Sequence, residues 1–387
     1  MGAPDPGAVA GAWLSRIPAA QRVAAHALTD LRLGGWLAVG AATVFLCVAL
    51  MRSDLLGRLR RALEARGPRP WLVSATAAAA LAFILASVRA LIDAVDAWRA
   101  DEIAARVGWA ARPGLLAHLA EAAASIPQAV VWAVLLFPPI AWLMRRRPGT
   151  WPVVLGVLAA AASVALIWLP YALSFGPAST VAPATPARDG VARLIAETRL
   201  PASGVLFSPD PGFDADVTGA FGHARVTLGP VIAAGPPTEA RAYVGHLMGH
   251  YVHADVLAVS LILGAAAIGG CMAAQRWGAS LARRLGASGA RTAADADALP
   301  ALALIALLTL AAGGLAESAY LRWANVRADA YSLDHAREPD GLAVVLVREW
   351  DHQALDPNPL ETALFYTHPP LPTRLVHAAR WKAPHGG

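Results

Sequence analysis

The sequence predicts a mainly α-helical, polytopic membrane protein with a small α/β domain set among its spans, and three observations carry that prediction. The 387 residues are 57% hydrophobic and 15% charged, with a mean hydropathy of +0.48, whereas soluble domains carry about 25% charged residues. Six apolar runs lie at 34–51, 71–95, 124–144, 151–174, 255–274 and 298–317, close to the roughly 17–25 residues that cross a bilayer. A polar block at 175–254 interrupts them, with strand-like stretches bounded by Gly, Pro and Asp.

The net charge of +5 and pI of 9.7 come largely from arginines beside the apolar runs. Membrane topology explains that placement and nucleic-acid binding does not. Arg52, Arg58, Arg60, Arg61, Arg66 and Arg69 follow the first run, Arg145, Arg146 and Arg147 the third, and Arg276, Arg283, Arg284 and Arg291 the fifth. With six spans these connections share a side, while 1–33 and 96–123, with three arginines each, face the other way. The positive-inside rule then puts the arginine-rich side in the cytoplasm and 175–254 and the tail outside. The Ala/Arg/Gly-heavy composition points to a bacterial inner membrane. The spans lack the acidic and basic residues of an ion path, which weighs against a transporter or channel. Cys47 and Cys271 lie inside apolar runs and read as small core residues, not a disulfide or metal pair.

In order, 1–33 has no compact apolar region of the signal-peptide kind and reads as a short amphipathic or disordered lead-in. Residues 34–174 form an N-terminal membrane region of about four spans, the third of them carrying Pro138 and Pro139. In 175–254 a helix is expected at 187–199, then strands at Gly204–Ser208, Asp216–Phe221 and Ala224–Leu228. Asp210, Asp214 and Asp216 sit among turn residues, where local hydrogen bonding explains them without a metal, and His223 follows a hairpin turn without an evident role. A helix then runs to about Val252, with Thr238 as its expected N-cap. Two further spans occupy 255–317. The tail, 318–387, holds a helix over Glu317–Asp334 that begins as the last span ends, another near 341–353, and Thr367-His368-Pro369-Pro370 with Arg374.

The chemistry centres on His246-Leu247-Met248-Gly249-His250. Histidines four apart lie on one face of a helix, close enough to share a metal ion. In H-E-x-x-H the two imidazoles bind zinc and the glutamate is the general base; here Leu247 stands at the glutamate's place. His253 lies on the same face, three residues on, as a candidate substitute ligand against a plainer reading as a polar helix-end residue.

Several stretches together resemble the type I CAAX prenyl protease family, integral-membrane zinc metalloendopeptidases. Leu194–Ser203 followed by Gly204-Val205-Leu206-Phe207 resembles the family's helix and first strand. Thr218–Gly222 and Arg225–Leu228 resemble its active-site hairpin, and Thr238-Glu239-Ala240-Arg241 leads into the histidine helix. Asn325-Val326-Arg327-Ala328-Asp329-Ala330-Tyr331 resembles its E-x-x-A-D-x-[FY] helix, and Thr367-His368-Pro369-Pro370 with Arg374 its closing motif. The likeness runs from roughly 70 to 380. It implies about six spans enclosing a cavity, capped by a small zincin-like α/β metallopeptidase domain, and a site open to the cytosol. That sidedness stands against the one the arginines give.

The likeness fails at two positions: Leu247 at the base and Asn325 at the third zinc ligand, where the family has glutamate. His246, His250, Asp329, His368 and Arg374 remain. The resemblance gives Asp329 the orienting of a ligand histidine, with replacement ligand as its other reading, and gives His368 and Arg374 the lining of the substrate cleft. A positioned general base is worth about 10²–10⁴ in rate, and asparagine offers zinc a neutral oxygen instead of a charged one. The expectation is a catalytically impaired family member that binds a lipidated peptide or protein client at the membrane lipid, with zinc weakly held or lost. The alternative is an active metalloendopeptidase with a substitute base or ligand. Nucleic acid is not an expected partner.

Overall fold

A computed structural model describes residues 5–67, 69–109, 114–350 and 352–385. Helix α1 spans Pro6–Leu14, α2 Ala19–Arg52, α3 Leu55–Glu64, α4 Pro70–Arg106 and α5 Leu115–Arg146. Helix α6 (Trp151–Ser163) widens into a π-turn at Val164–Trp168 before α7 (Leu169–Ala172). The widening sits where Pro170 has no N–H to give and its ring would press on the carbonyl of Leu166. Then come β1 (Thr180–Val181), α8 (Pro186–Thr198), β2 (Ala202–Phe207), β3 (Ala215–Ala220), β4 (His223–Leu228), α9 (Pro230–Ala234) and α10 (Pro237–Val252). Helices α11 (Asp255–Arg284), α12 (Leu299–Ala336), α13 (Pro339–Arg348), α14 (Pro359–Phe365) and α15 (Leu371–His385) complete the chain.

Among the described residues, six helical segments are long and apolar enough to cross a membrane: Ala19–Arg52, Pro70–Arg106, Leu115–Arg146, Trp151–Ala172, Asp255–Arg284 and Ala296–Ala336. Most run well past the apolar stretches that marked them. The last is one continuous helix through Asn325 and Asp329, where the sequence suggested a span and then a separate helix.

The chain packs as two compact units. One comprises Ala27–Ala161 and Gly264–Gly313. Its helices meet through alanine and glycine: a Cβ on Gly156 would stand 3.0 Å from the Cα of Ile268, so α6 and α11 touch backbone to backbone. Cys47 is buried with Met51, Ala282 and Leu304, and Cys271 packs beside Met144 and Trp151, both as free thiols.

The other unit comprises Met1–His26, Ala162–Leu263 and Gly314–Gly387. Its sheet has the order β1-β2-β4-β3, with β2 and β4 parallel and the other pairs antiparallel. Ala187, Val191 and Leu194 of α8 and Ala240, Val244 and Met248 of α10 recur at helical spacing, and both stripes are buried against Val205, Val217, Val226 and Leu228 of the sheet. Strands β3 and β4 turn through Phe221 and Gly222, both at positive φ (53° and 80°), the backbone of a two-residue type I′ hairpin. Helix α10 starts at Pro237, after Pro236 at the N-cap position, so Thr238 lies in the first turn and not at the cap. Part of the supposed lead-in is also ordered. Ala10 of α1 and nearby Ile17 are buried with Leu342 and Leu346 of α13 and Leu375 of α15.

Candidate functional site

Helix α10 presents one face to the sheet and the other to α12. A Cβ on Gly249 would come within 2.7 Å of the Cα of Ala328, and one on Gly245 within 3.0 Å of Ser332 Oγ, which donates to the Ala242 carbonyl at 2.6 Å. Small residues at these points let the two helices nearly touch. The contact carries His246 and His250 to Asn325 and Asp329.

His246 and His250 face each other, Nε2 to Nε2, at 3.2 Å. His246 Nδ1 lies 2.8 Å from Asp329 Oδ1, and both Asp329 oxygens accept at 2.7 Å from the Arg374 guanidinium. A carboxylate so engaged only accepts, so the proton of this hydrogen bond sits on His246 Nδ1. Burial, outweighing the attraction of Asp329, holds His246 down to about 4, so its imidazole is neutral at neutral pH and Nε2 is a free lone pair. His250 Nδ1 is paired in the same way with Asp255 Oδ2 at 2.8 Å. Asp255 is buried at the start of α11 and also accepts from Tyr320 Oη and Arg327 Nη2, both at 2.6 Å. A carboxylate behind each imidazole fixes its tautomer and its aim.

Asn325 supplies the third group. Its Nδ2 donates to the carbonyls of Leu321 (2.9 Å) and Thr367 (3.2 Å). Two acceptors on that side require the amide nitrogen there. Oδ1 is therefore left buried with no hydrogen-bond partner among the described residues, a costly state unless something binds it. These donors fit zinc. Two nitrogens about 2.0–2.1 Å from one tetrahedral ion stand about 3.3 Å apart, near the observed spacing, and the orphaned Asn325 oxygen is the candidate for a third donor. Among the described residues no three His, Cys, Asp or Glu side chains gather as a metal cluster, so a third donor to the pair would have to be of another kind.

The remaining candidate residues fall as follows. His253 is not a substitute ligand: it caps the end of α10, bonding the Gly249 carbonyl through Nδ1 at 2.7 Å, and does not join the pair. Asp329, whose other reading is a shifted ligand, has both oxygens engaged by His246 and Arg374, the arrangement of a group that orients His246. Leu247, His368 and Arg374 line a cavity of about 270 Å³ together with both histidines of the pair. Its other walls are largely apolar, with Leu342, Val345, Leu346, Trp350 and Tyr366. Burial and the neighbouring Arg374 push His368 down to about 3, so it too stays uncharged. Glu349 lines the same cavity, and burial raises its carboxyl above the usual range. His223 opens β4, exposed. Sequence reasoning missed Asp255, Tyr320 and Arg327; the one available signal was an acid five residues after His250, at the head of an apolar span.

Fold and site together define a polytopic membrane protein with a zincin-like metallopeptidase domain. Residues 185–382, more than half of the chain, match the model of peptidase family M48, and the chain belongs to that family. Among solved structures it is similar to the crystal structure of S. mikatae Ste24p, with a TM-score of 0.52 at 13% identity, over 97% of this chain and 99% of that one. At that identity the likeness speaks for the fold, and it agrees with the resemblance to CAAX prenyl proteases carried by the motifs. Comparison with curated proteins finds no match.

Proposed function

We propose that this chain is a membrane-embedded member of peptidase family M48 that holds zinc and binds a peptide segment of a client without cutting it at a useful rate. The carrying observation is Leu247, which lines the cavity beside His246 and His250 at the position of the base. His246, His250 and Asn325 would hold the zinc, with Asp329 and Asp255 fixing the two imidazoles. Zinc bound here would polarise a carbonyl and acidify a bound water. Leucine has no group to take the water's proton, and the neutral His368 and the carboxylate-bound Arg374 offer no anionic base nearby. The apolar wall of Leu342, Val345, Leu346 and Trp350 suits an apolar or lipidated residue of the client. The Ala/Arg/Gly-heavy composition favours a bacterial inner membrane, and the positive-inside rule favours the arginine-rich connections on its cytoplasmic side.

One observation favours a second reading. Glu349 is a cavity-lining carboxylate with a raised pKa, the property of a substitute base. Elemental analysis of the purified, detergent-solubilised chain, read beside peptide hydrolysis, tests both. The expected result is near one zinc per chain, lost in His246→Ala, with hydrolysis absent until Leu247→Glu raises it by about 10²–10⁴. A chain without zinc overturns the proposal. Hydrolysis by the native chain that Glu349→Gln abolishes establishes the second reading.

A further inference from the structure

The three arginine-rich connections all belong to the membrane unit of Ala27–Ala161 and Gly264–Gly313, and they meet at one end of it. Arg60 of the first reaches Asp297 beyond the third at 3.2 Å. Arg145 of the second donates to the Ala294 carbonyl at 3.1 Å and to Ser74 Oγ at 3.2 Å. The Gln275 amide donates to the Pro148 carbonyl at 2.8 Å, which seats the second connection beside α11.

At this end thirteen arginines face four carboxylates, and every carboxylate is already engaged within the protein. Asp54 pairs with Arg61 at 2.6 Å, Glu64 with Arg60 at 3.3 Å, and Asp297 is buried against Arg60. Asp295 takes the backbone N–H groups of Arg291 and Thr292 at 2.8 and 2.7 Å. The excess positive charge is therefore unanswered by the protein. Topology requires arginines on one side of the membrane; it does not require them to stay unpaired and side by side.

Arg146, Arg147 and Arg276 are such a group. They are exposed, their guanidinium groups have no hydrogen-bond or ion-pair partner among the described residues, and the Gln275–Pro148 hydrogen bond joins the two chain segments that carry them. Trp142, 57% exposed, lies one turn before Arg146, with the guanidinium 5.9 Å from its ring, and Trp277, 56% exposed, follows Arg276. Exposed tryptophans at the ends of spans settle where hydrocarbon meets headgroups, which sets the three guanidinium groups at the depth of lipid phosphates.

We propose that Arg146, Arg147 and Arg276 form a binding site for the headgroup of an anionic phospholipid in the adjoining leaflet. Guanidinium forks match phosphate oxygens, and the flanking tryptophans favour a phosphate fixed to an acyl chain over one free in solution, which gains nothing from rings at the hydrocarbon edge.

The test is thermal unfolding of the whole delipidated chain in detergent at low salt, titrated with phosphatidylglycerol, phosphatidylcholine or glycerol phosphate. Phosphatidylglycerol is expected to raise the midpoint saturably, and the other two are not. Arg146→Gln/Arg147→Gln/Arg276→Gln is expected to weaken the phosphatidylglycerol response on the order of a hundred-fold, from about five-fold per basic residue at a charged membrane surface. Equal responses to the two lipids, or an unchanged response in the triple variant, overturn the proposal; an equal response to glycerol phosphate overturns its lipid source. Should the triple variant fail to fold, the single changes Arg146→Gln and Arg276→Gln are each expected to weaken the phosphatidylglycerol response about five-fold, and an unchanged response in both overturns the proposal as well.

Discussion

The two histidines of the site are each backed by a carboxylate at 2.8 Å, but the two arms are built differently. Behind His246, Asp329 is gripped at both oxygens by Arg374, whose side chain is 13% exposed. Behind His250, Asp255 is shared among three donors, and its arginine, Arg327, is 26% exposed and stacks 3.6 Å above the Trp323 ring. The first arm is a closed, charged pair with nowhere to relax. The second is a looser hub, half supplied by the head of a membrane span, that has other donors and nearby solvent to draw on. The two carboxylates, each bonded to a histidine Nδ1, should therefore fail at different cost.

The largest expected effect follows from the closed arm. Asp329→Ala leaves Arg374 buried without its partner, a loss of about 3–5 kcal/mol where a buried pair is broken from one side. Zinc should go with it, because nothing then fixes the His246 ring. Unfolding in detergent and metal content check both, and a variant of native stability would show that Arg374 reaches solvent more easily than its burial implies. The matched change in the open arm is smaller. Asp255→Asn keeps the shape while weakening the grip on His250 Nδ1, with an expected 10–100-fold loss of zinc affinity and little change in stability, since Arg327 can turn toward water over Trp323. Competition with a chelator reads the affinity. Equal losses in Asp329→Asn and Asp255→Asn would erase the distinction between the arms.

The same contrast separates what the sequence disclosed from what it hid. His246, His250, Asp329 and Arg374 stand in spaced patterns that a single helix face or a short motif can carry, so they were legible. Asp255 was not. At the head of an apolar run an acid reads as a helix-end residue, and only the fold shows that α12 brings Tyr320 and Arg327 to it. The six spans could be read because hydrocarbon thickness sets their length, yet their ends could not: α4 and α12 carry on as helices through polar residues, held by packing and not by apolarity. The two-residue strand Thr180–Val181 is too short for any periodicity. Asn325 looked like a plain loss of charge. Its amide nitrogen is pinned by two carbonyls and its oxygen is left buried without a hydrogen-bond partner among the described residues, a property of geometry that no residue type announces.

Tyr320→Phe gives the smallest effect and the sharpest view of the hub. It removes one donor from Asp255 and leaves those of His250 and Arg327 in place. Deleting a hydroxyl with no new void costs about 0.5–1.5 kcal/mol when the acceptor stays satisfied, and up to about 3 when a charged acceptor is left wanting. If the hub shares its load, Tyr320→Phe should weaken zinc binding by less than ten-fold, and its effect should shrink further in an Asp255→Asn background, since both changes act through one carboxylate. A double-mutant cycle on zinc affinity measures this directly. Full additivity of the two would mean that Tyr320 does not reach His250 through Asp255, and the second arm would then reduce to Asp255 held between His250 and Arg327, the same carboxylate–arginine build as the first.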